Sequence, residues 1–195
     1  LVLILISFSH VNRPDAGLYH LPFTQILNES KLIVGLSNLH FRFGHISIQQ
    51  YLSAINYNFI GGKSGITIPL ASFISFLFIY FYNEVLKFFR AGKLLKLENL
   101  FSLFVLIYIS FKINRYSGFG NDAPAHLITF YLISVYLKSI NNYNFLNKIS
   151  ILSTYVFINK ITLSLVFLFP IIIFLKMKKK FKIFFSFSFF ILFFW

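Results

Sequence analysis

Long apolar runs separated by short polar stretches are the dominant pattern of the chain. The clearest run, residues 66–83, has 18 residues without a charge. As a helix it would be about 27 Å long, enough to cross a bilayer. Shorter apolar runs at 99–112 and 125–137 are separated by a polar loop that contains glycine. We expect these two runs to pair as an up-and-down helical hairpin.

The chain also begins and ends inside apolar runs, at residues 1–9 and 183–195. A membrane-spanning helix needs about 20 apolar residues. We therefore expect both runs to be truncated spans, and residues 1–195 to be a fragment that forms a single membrane domain. The pattern as a whole predicts an all-α, polytopic membrane protein.

Residues 149–175 are apolar except for Asn159 and Lys160 near the middle. As one helix the segment would be about 40 Å long and would place a lysine within the membrane, where a charge is unfavourable. As two short spans, 149–158 and 161–175, it would turn at Asn159–Lys160. The second interpretation gives about seven spans.

Basic residues favour the split, because lysine and arginine accumulate in the cytoplasmic loops of membrane proteins. With the split, both basic clusters lie inside and residues 10–65 form an extracytoplasmic loop, whereas one continuous helix would place the second cluster outside. Glu84 and Glu98 flank the first cluster and are expected to be its solvated partners. The clusters are Lys87, Arg90, Lys93 and Lys96, and Lys176, Lys178, Lys179, Lys180 and Lys182.

The long outer loop, residues 10–65, has two helical patterns of its own. Leu21–Val34 has a proline near its start and Gly35 after its end, which indicates a helix with a stop signal. Ile46–Phe59 has an apolar stripe (Ile48, Tyr51, Leu52, Ile55, Phe59) mostly opposite polar residues (Gln49, Gln50, Ser53, Asn56). The stripe predicts an amphipathic helix at the membrane surface, and packing of the same stripe on neighbouring spans is the alternative.

Composition agrees with a membrane protein and narrows its chemistry. The chain is 57% hydrophobic and 12% charged, with a mean hydropathy of +0.76. The absence of cysteine excludes disulfides, thiolate metal sites and cysteine nucleophiles. The net charge of +13 comes mostly from clusters beside predicted spans, so it indicates topology and not a nucleic-acid partner.

Two polar stretches, residues 12–22 and 115–126, concentrate titratable groups where the chain would leave or enter the bilayer. Each has an aspartate followed within four or five residues by a histidine, namely Asp15 with His20 and Asp122 with His126. Partly desolvated carboxylates and imidazoles have shifted pKa values that suit proton transfer or phosphate binding. The alternative is that each aspartate caps the helix that follows it.

The first outer loop opens with Asp15 just after the first predicted span, and Tyr19-His20 follows. This arrangement, which covers Asp15 to Pro22, resembles the multi-spanning glycosyltransferases of the GT-C type. The longer string from Asn12 to Asn58 is similar to uncharacterised bacterial multi-spanning proteins. Many GT-C enzymes have a second acid beside the aspartate, whereas Ala16 follows Asp15 here. The second carboxylate would then be Asp122, from another outer loop.

The resemblance implies transfer of a sugar from a polyprenyl-phosphate carrier, at the outer face of a bacterial inner membrane. Asp15 and Asp122 would be the catalytic residues, with Asp15 as general base on the acceptor hydroxyl. Cations and protonated histidines would stabilise the phosphate, and the polyprenyl tail would lie between the spans. The candidate substrate-binding residues are Tyr19, His20, Arg42, His45, Arg115 and His126.

Other functions stay open from the sequence. A transporter or flippase would need ionisable groups or helix breaks near the membrane midplane, for which Lys160 and Pro170 are the candidates. A non-catalytic assembly protein would use its aspartates only as helix caps. No cofactor is expected. A divalent metal at His40 and His45 is disfavoured, because the two histidines are five residues apart with Arg42 between them and no nearby acid.

Overall fold

A computed structural model of the chain describes residues 14–30, 33–44, 47–59, 62–91, 96–112, 119–120, 122–139 and 145–176. These residues are almost entirely helical and include no β-strand, so the predicted all-α fold class is confirmed. The described part contains seven α-helices, together with short 3₁₀ segments at residues 36–38, 41–44, 62–67 and 161–167. They are α1 (Leu21–Glu29), α2 (Ile48–Phe59), α3 (Ile68–Ala91), α4 (Leu97–Lys112), α5 (Asp122–Ser139), α6 (Leu146–Asn159) and α7 (Leu168–Lys176).

One helix in the described residues, Gly65–Arg90, is long and apolar enough to cross a membrane. It contains the predicted span 66–83 and continues for about two turns beyond it. The continuation carries an i,i+3 ion pair on its surface, in which Lys87 Nζ lies 3.0 Å from Glu84 Oε1. The other described helices are shorter, and a polytopic arrangement stays a prediction.

Helices α3 and α5 run in the same direction. The rings of Phe76 and Tyr131 lie 6.4 Å apart between centroids, and two turns further along both helices Glu84 forms an ion pair with Lys138. Helix α5 buries residues on several sides and packs against α3, α4 and α6, which makes it the centre of the bundle.

The segment 149–175 folds back on itself. Helix α6 ends at Asn159, Lys160 has extended backbone angles (φ −152°, ψ 102°), and a 3₁₀ segment leads into α7. The Ser153 hydroxyl donates to the carbonyl oxygen of Val166 at 3.2 Å, and Ile149 packs in one cluster with Ile173. The two legs are therefore antiparallel, with the turn where the split interpretation puts it, and no continuous helix forms.

These directions give the bundle two distinct ends. The starts of α3 and α5 and the end of α6 lie at one end, which we call the loop end because residues 14–59 pack there through α2. The described basic residues at the opposite end outnumber those near the loop end. At the opposite end are Lys87, Arg90, Lys96, Lys138, Lys148 and Lys176.

The first outer-loop helix differs from its predicted bounds. A π-helical turn, Ala16–His20, continues directly into α1, so the helix starts before Leu21. It ends at Glu29, because Ser30 is extended (φ −119°, ψ 147°), so the predicted end at Val34 is wrong. Gly35, the predicted stop signal, adopts φ +86° in the turn that follows, a conformation that glycine takes without strain.

Helix α2 lies with its polar side inward. Gln49, Gln50 and Ser53 are buried, whereas Leu52 and Ile55 on the apolar stripe are 39% and 61% exposed. The alternative in which the whole stripe packs on neighbouring spans is therefore wrong for these two residues. Contact of these apolar side chains with water is unfavourable, and lipid or another protein could cover them.

The expectation that Glu84 is a solvated partner of the first basic cluster is also wrong. Its side chain is only 12% exposed and pairs with Lys138 of α5 as well as with Lys87. Lys138 Nζ also donates to the Tyr80 hydroxyl at 2.9 Å. The acid is buried because α3 extends past its apolar run and brings Glu84 against α5, where a cation is available.

Candidate functional site

A cavity of about 450 Å³ opens at the loop end of the bundle. Four separate segments meet around it: the turn before α1, the 3₁₀ turn Phe41–Gly44, the start of α5 and the junction after α6. Helix α2 contributes one further side chain, Gln50. The lining residues are Tyr19, His20, Phe41, Arg42, Gly44, Gln50, Asp122, Phe157, Ile158, Asn159, Lys160, Ile161 and Thr162.

The structure brings together four of the residues that the sequence singles out. Tyr19, His20, Arg42 and Asp122 all line this cavity. His126 is exposed on α5 and is not among the lining residues. The predicted substrate-binding residues His45 and Arg115 lie outside the residues that the structure describes.

His20 is held tightly at the floor of the cavity. It is buried at the end of the π-helical turn, and Gln50 Nε2 lies 3.3 Å from its Nδ1. Gly120 lies close to the other side of the ring, where an added Cβ would be 3.2 Å from Nε2. A side chain at position 120 would therefore push against the imidazole.

Burial disfavours the protonated form of His20 that would stabilise a phosphate. Burial lowers the pKa of His20, and the negative charges of Asp15 and Asp122 only partly oppose this effect. Desolvation disfavours the charged imidazolium, so the neutral ring is the preferred form near neutral pH. His20 can still donate or accept a hydrogen bond, but it does not supply a positive charge.

Arg42 supplies one positive charge instead. Its guanidinium carbon lies 4.5 Å from the centroid of the Tyr19 ring, in cation–π contact, and the Arg42 side chain is exposed. Burial, together with the charge of Asp15, raises the pKa of the Tyr19 hydroxyl above its usual value. Tyr19 is therefore a neutral hydrogen-bonding group that also orients Arg42.

Lys160 supplies the second positive charge at the cavity. Its Nζ lies 2.6 Å from Asp122 Oδ1, and Asp122 is 66% exposed. Because water screens an exposed pair, Lys160 can exchange Asp122 for another anion at a small free-energy cost. Lys160 lies at the loop end of α6.

Asp15 lies beside the cavity and does not line it. It occupies the N-cap position of the π-helical turn, but its side chain makes no capping hydrogen bond. The capping explanation for this residue is therefore wrong. Its negative charge favours higher pKa values for Tyr19 and His20, which line the cavity.

Asn159 joins the outer loop to the bundle, a role that the sequence analysis did not find. It is 1% exposed. Its Oδ1 accepts hydrogen bonds from Ser47 Oγ at 2.8 Å and from the backbone amide of Gln49 at 3.2 Å. Its Nδ2 donates to the Tyr155 carbonyl oxygen at 2.9 Å. The signal in the sequence is that Asn159 is an uncharged polar residue within an apolar run, which is typical of a buried hydrogen-bonding position.

Gln50 is the second residue that the sequence analysis missed, because the helical pattern placed it on the polar side of α2. Its side chain is buried and lines the cavity, and Oε1 has no hydrogen-bond partner in the described part of the protein. Rotating the amide by 180° exchanges Oε1 and Nε2, so either orientation leaves one polar atom unpaired beside His20. Such an atom is unfavourable unless water or a ligand satisfies it.

The described residues contain no group of three or more histidine, aspartate or glutamate side chains placed to hold a metal ion. The cavity instead combines two cations, the carboxylate of Asp122, a neutral imidazole and an unpaired amide atom. This combination is suited to binding a ligand that has both an anionic group and hydroxyl groups.

The comparisons with known proteins give a family and no described function. No curated protein and no solved structure matches the chain. A family model described as "Domain of unknown function (DUF8201)" matches residues 1–195. Because the match covers well over half of the sequence, the chain belongs to the DUF8201 family.

Proposed function

We propose that the protein is a polytopic membrane glycosyltransferase of the GT-C type, which takes a sugar from a lipid-phosphate carrier on the outer face of the membrane. The observation that carries this proposal is the meeting of Tyr19, His20, Arg42 and Asp122 in one cavity with Lys160. Asp15, the acid that carries the resemblance, lies beside that cavity.

The outer surface of the bundle supports the membrane part of the proposal. Soluble proteins rarely expose large continuous apolar patches. Here one stripe of α4, with residues three or four positions apart, is exposed and entirely apolar (Leu100, Phe104, Ile107 and Phe111), and α7 exposes Leu168, Ile171, Ile172 and Leu175. Lipid would cover both surfaces. The basic end of the bundle would face the cytoplasm, with the cavity outside.

Arg42 and Lys160 would bind the phosphate of the donor. Arginine can form two parallel hydrogen bonds to phosphate oxygens, and lysine acts as a compact point charge. Asp122 would hold Lys160 in position before the donor binds. We therefore assign Asp122 a positioning role and keep the general-base role for Asp15.

The reaction would join the acceptor to the anomeric carbon of the sugar. Asp15 removes the proton from the acceptor hydroxyl as that oxygen attacks the anomeric carbon. The bond from the anomeric carbon to the phosphate oxygen breaks, and polyprenyl phosphate leaves with the electron pair. No general acid is needed, because phosphate is a good leaving group and the two cations stabilise its charge.

Gln50 would recognise the sugar. A sugar hydroxyl that donates to Oε1 would satisfy the unpaired acceptor, and the reverse orientation of the amide would donate to the hydroxyl instead. His20, neutral and bonded to Gln50, would keep the amide in place. A buried polar atom of this kind discriminates strongly against ligands that lack the matching hydroxyl.

The test is an assay of sugar transfer in membranes from cells that express the protein, which contain the native acceptor. Radiolabelled polyprenyl-phosphate hexoses are supplied as donors. We expect Asp15→Asn to lower transfer by about 10²-fold or more, the usual contribution of a general base. Glu29→Gln is the matched control, because Glu29 is an exposed acid that bonds Gln25 on the same helical segment and does not line the cavity.

Protein amount and helical content must be equal in the three samples. Undiminished transfer by Asp15→Asn would contradict the proposed mechanism. An absence of labelled product above untransformed membranes with every hexose donor would contradict the activity itself.

A further inference from the structure

A second depression lies on the other side of the Phe41–Gly44 turn from the cavity. It has a volume of about 430 Å³ and lies between α1, α2 and the chain around residues 33–44. Phe23 and Phe43, both buried, stack at its base with ring centroids 5.4 Å apart. Ile26, Leu27 and Ile33 form much of its walls, and none of its described lining residues is charged. We call it the apolar groove.

The apolar groove and the polar cavity share a boundary. Arg42 and Phe43 are consecutive residues of the turn, and Arg42 lines the cavity whereas Phe43 lines the groove. Gly44 borders both. A Cβ at position 44 would lie 3.4 Å from the Ser37 Cβ, which is an ordinary van der Waals contact.

We propose that the apolar groove holds the first part of the hydrocarbon chain of the lipid phosphate whose head group occupies the cavity. This inference rests on the proposed function and changes one of its expectations, because the chain would lie against the outer loop and not between the spans. The two sites match the two halves of one amphipathic ligand. The phosphate meets Arg42 and Lys160, and the chain leaves it past Gly44.

The position of the groove also suits a ligand that arrives from the membrane. Ile33 is exposed and Leu27 is half-buried, so these parts of the groove wall are accessible from outside the protein. The exposed apolar residues of α2 belong to the same outer-loop region, and α2 packs against α1. A chain could therefore enter sideways from lipid while its head group stays in the polar cavity.

The experiment fills the groove and compares two probes. The full chain is placed in lipid nanodiscs, and saturation binding of radiolabelled farnesyl phosphate and of inorganic phosphate is measured, with empty nanodiscs subtracted. Leu27→Trp should weaken farnesyl phosphate binding about tenfold or more, since loss of about two buried methylene groups has this effect. It should leave phosphate binding unchanged.

Two controls separate the groove from the cavity. Gln25→Trp puts the same side chain on an exposed position of α1 outside the groove and should change neither affinity. Lys160→Met should weaken both probes, because it removes a cavity cation. If Leu27→Trp does not fold, Ile33→Trp replaces it, since Ile33 is an exposed residue of the groove wall.

The outcomes distinguish this inference from the function on which it rests. The groove assignment would be overturned if the groove variants bound farnesyl phosphate as tightly as the wild type, or if the wild type bound the two probes with equal affinity. The transferase proposal would then still depend on the Asp15→Asn assay. Failure of the wild type to bind either probe would overturn both the groove assignment and the phosphate site.

Discussion

Asn159 is the residue that most directly fixes the geometry of the site. Its buried amide accepts two hydrogen bonds from the start of α2 and donates one within α6. The hydrogen bonds hold α2, and with it Gln50, against the end of α6. Without the Asn159 side chain, a hydroxyl and a backbone amide would lose their partner in a buried place.

We therefore expect Asn159→Ala to lower the free energy of unfolding by about 2–3 kcal/mol, because two buried donors are left unsatisfied. For a chain of this size the midpoint of thermal unfolding would fall by roughly 4–10 °C. Asn56→Ala is the matched control, since the Asn56 side chain bonds only the Leu52 carbonyl oxygen of its own helix. Equal midpoints for the two variants would contradict the role given to Asn159.

The lowered pKa of His20 predicts that the free energy of unfolding depends on pH. Burial lowers the pKa of His20 in the folded protein. Once the pH falls below about 6.5, His20 therefore binds a proton more readily in the unfolded chain than in the folded protein. The free energy of unfolding should then decrease as the pH falls from about 6.5, and level off below the folded pKa.

His20→Gln removes this titration and leaves the other histidines in place. Between pH 7 and pH 5, the midpoint of thermal unfolding should fall less in the variant than in the wild type. Comparing the two slopes cancels the contributions of the other histidines. Parallel curves for the two proteins would show that His20 is not desolvated as the structure places it.

Helix α2 shows that an amphipathic pattern can predict a helix without predicting what its polar side contacts. The period of its apolar residues predicts a helix, and Ile48–Phe59 is one. The usual assumption that polar residues face water fails here, because Gln49, Gln50 and Ser53 face the protein. No residue of α2 is charged, so burying its polar side requires only hydrogen bonds.

The lack of cysteine allows a direct test of where the other side of α2 lies. A spin label on Ile55→Cys in proteoliposomes should be relaxed by oxygen, which concentrates in lipid, more than by a water-soluble nickel complex. A label on Gln25→Cys, an exposed polar position of α1, should show the reverse. Greater relaxation of the Ile55 label by the nickel complex would place this side of α2 in water.

For the whole molecule, the helix directions determine which groups lie at the same end of the bundle. Parallel α3 and α5, with the α6–α7 turn at the same end as their starts, place the outer loop and Lys160 together and the basic residues at the opposite end. A membrane with the positive residues inside would then leave the cavity outside.

Labelling with a membrane-impermeant maleimide tests this arrangement. In intact cells, Gln25→Cys should react, whereas Lys87→Cys should react only after permeabilisation, because Lys87 lies at the basic end and its side chain is 74% exposed. Lys112→Cys, at the end of α4, should behave like Gln25→Cys. Labelling of Gln25→Cys and Lys112→Cys from opposite sides would contradict a cavity formed by both outer segments.

The residues of the site were found from sequence to different extents. Asp122 and His20 stand out in the sequence because titratable residues are concentrated where the chain would leave or enter the bilayer, whereas Tyr19 and Arg42 follow only from the resemblance to GT-C enzymes. The split interpretation places Lys160 correctly in the turn after residue 158, but nothing in the sequence indicates its pairing with Asp122 or the role of Gln50. Their roles depend on neighbours far along the chain, so a local pattern contains no signal for them.

Properties that depend only on neighbours in the chain were available from the amino-acid order. The helical class follows from the long apolar runs, and a break at Asn159–Lys160 is favoured by the positions of the basic clusters. Tertiary packing determines which side of α2 faces the protein interior and which acidic side chain each lysine pairs with. Asp122 and Lys160 are 38 residues apart, and Ser47 and Asn159 are 112 apart. Contacts over such separations form only when the packing of whole helices brings the groups together.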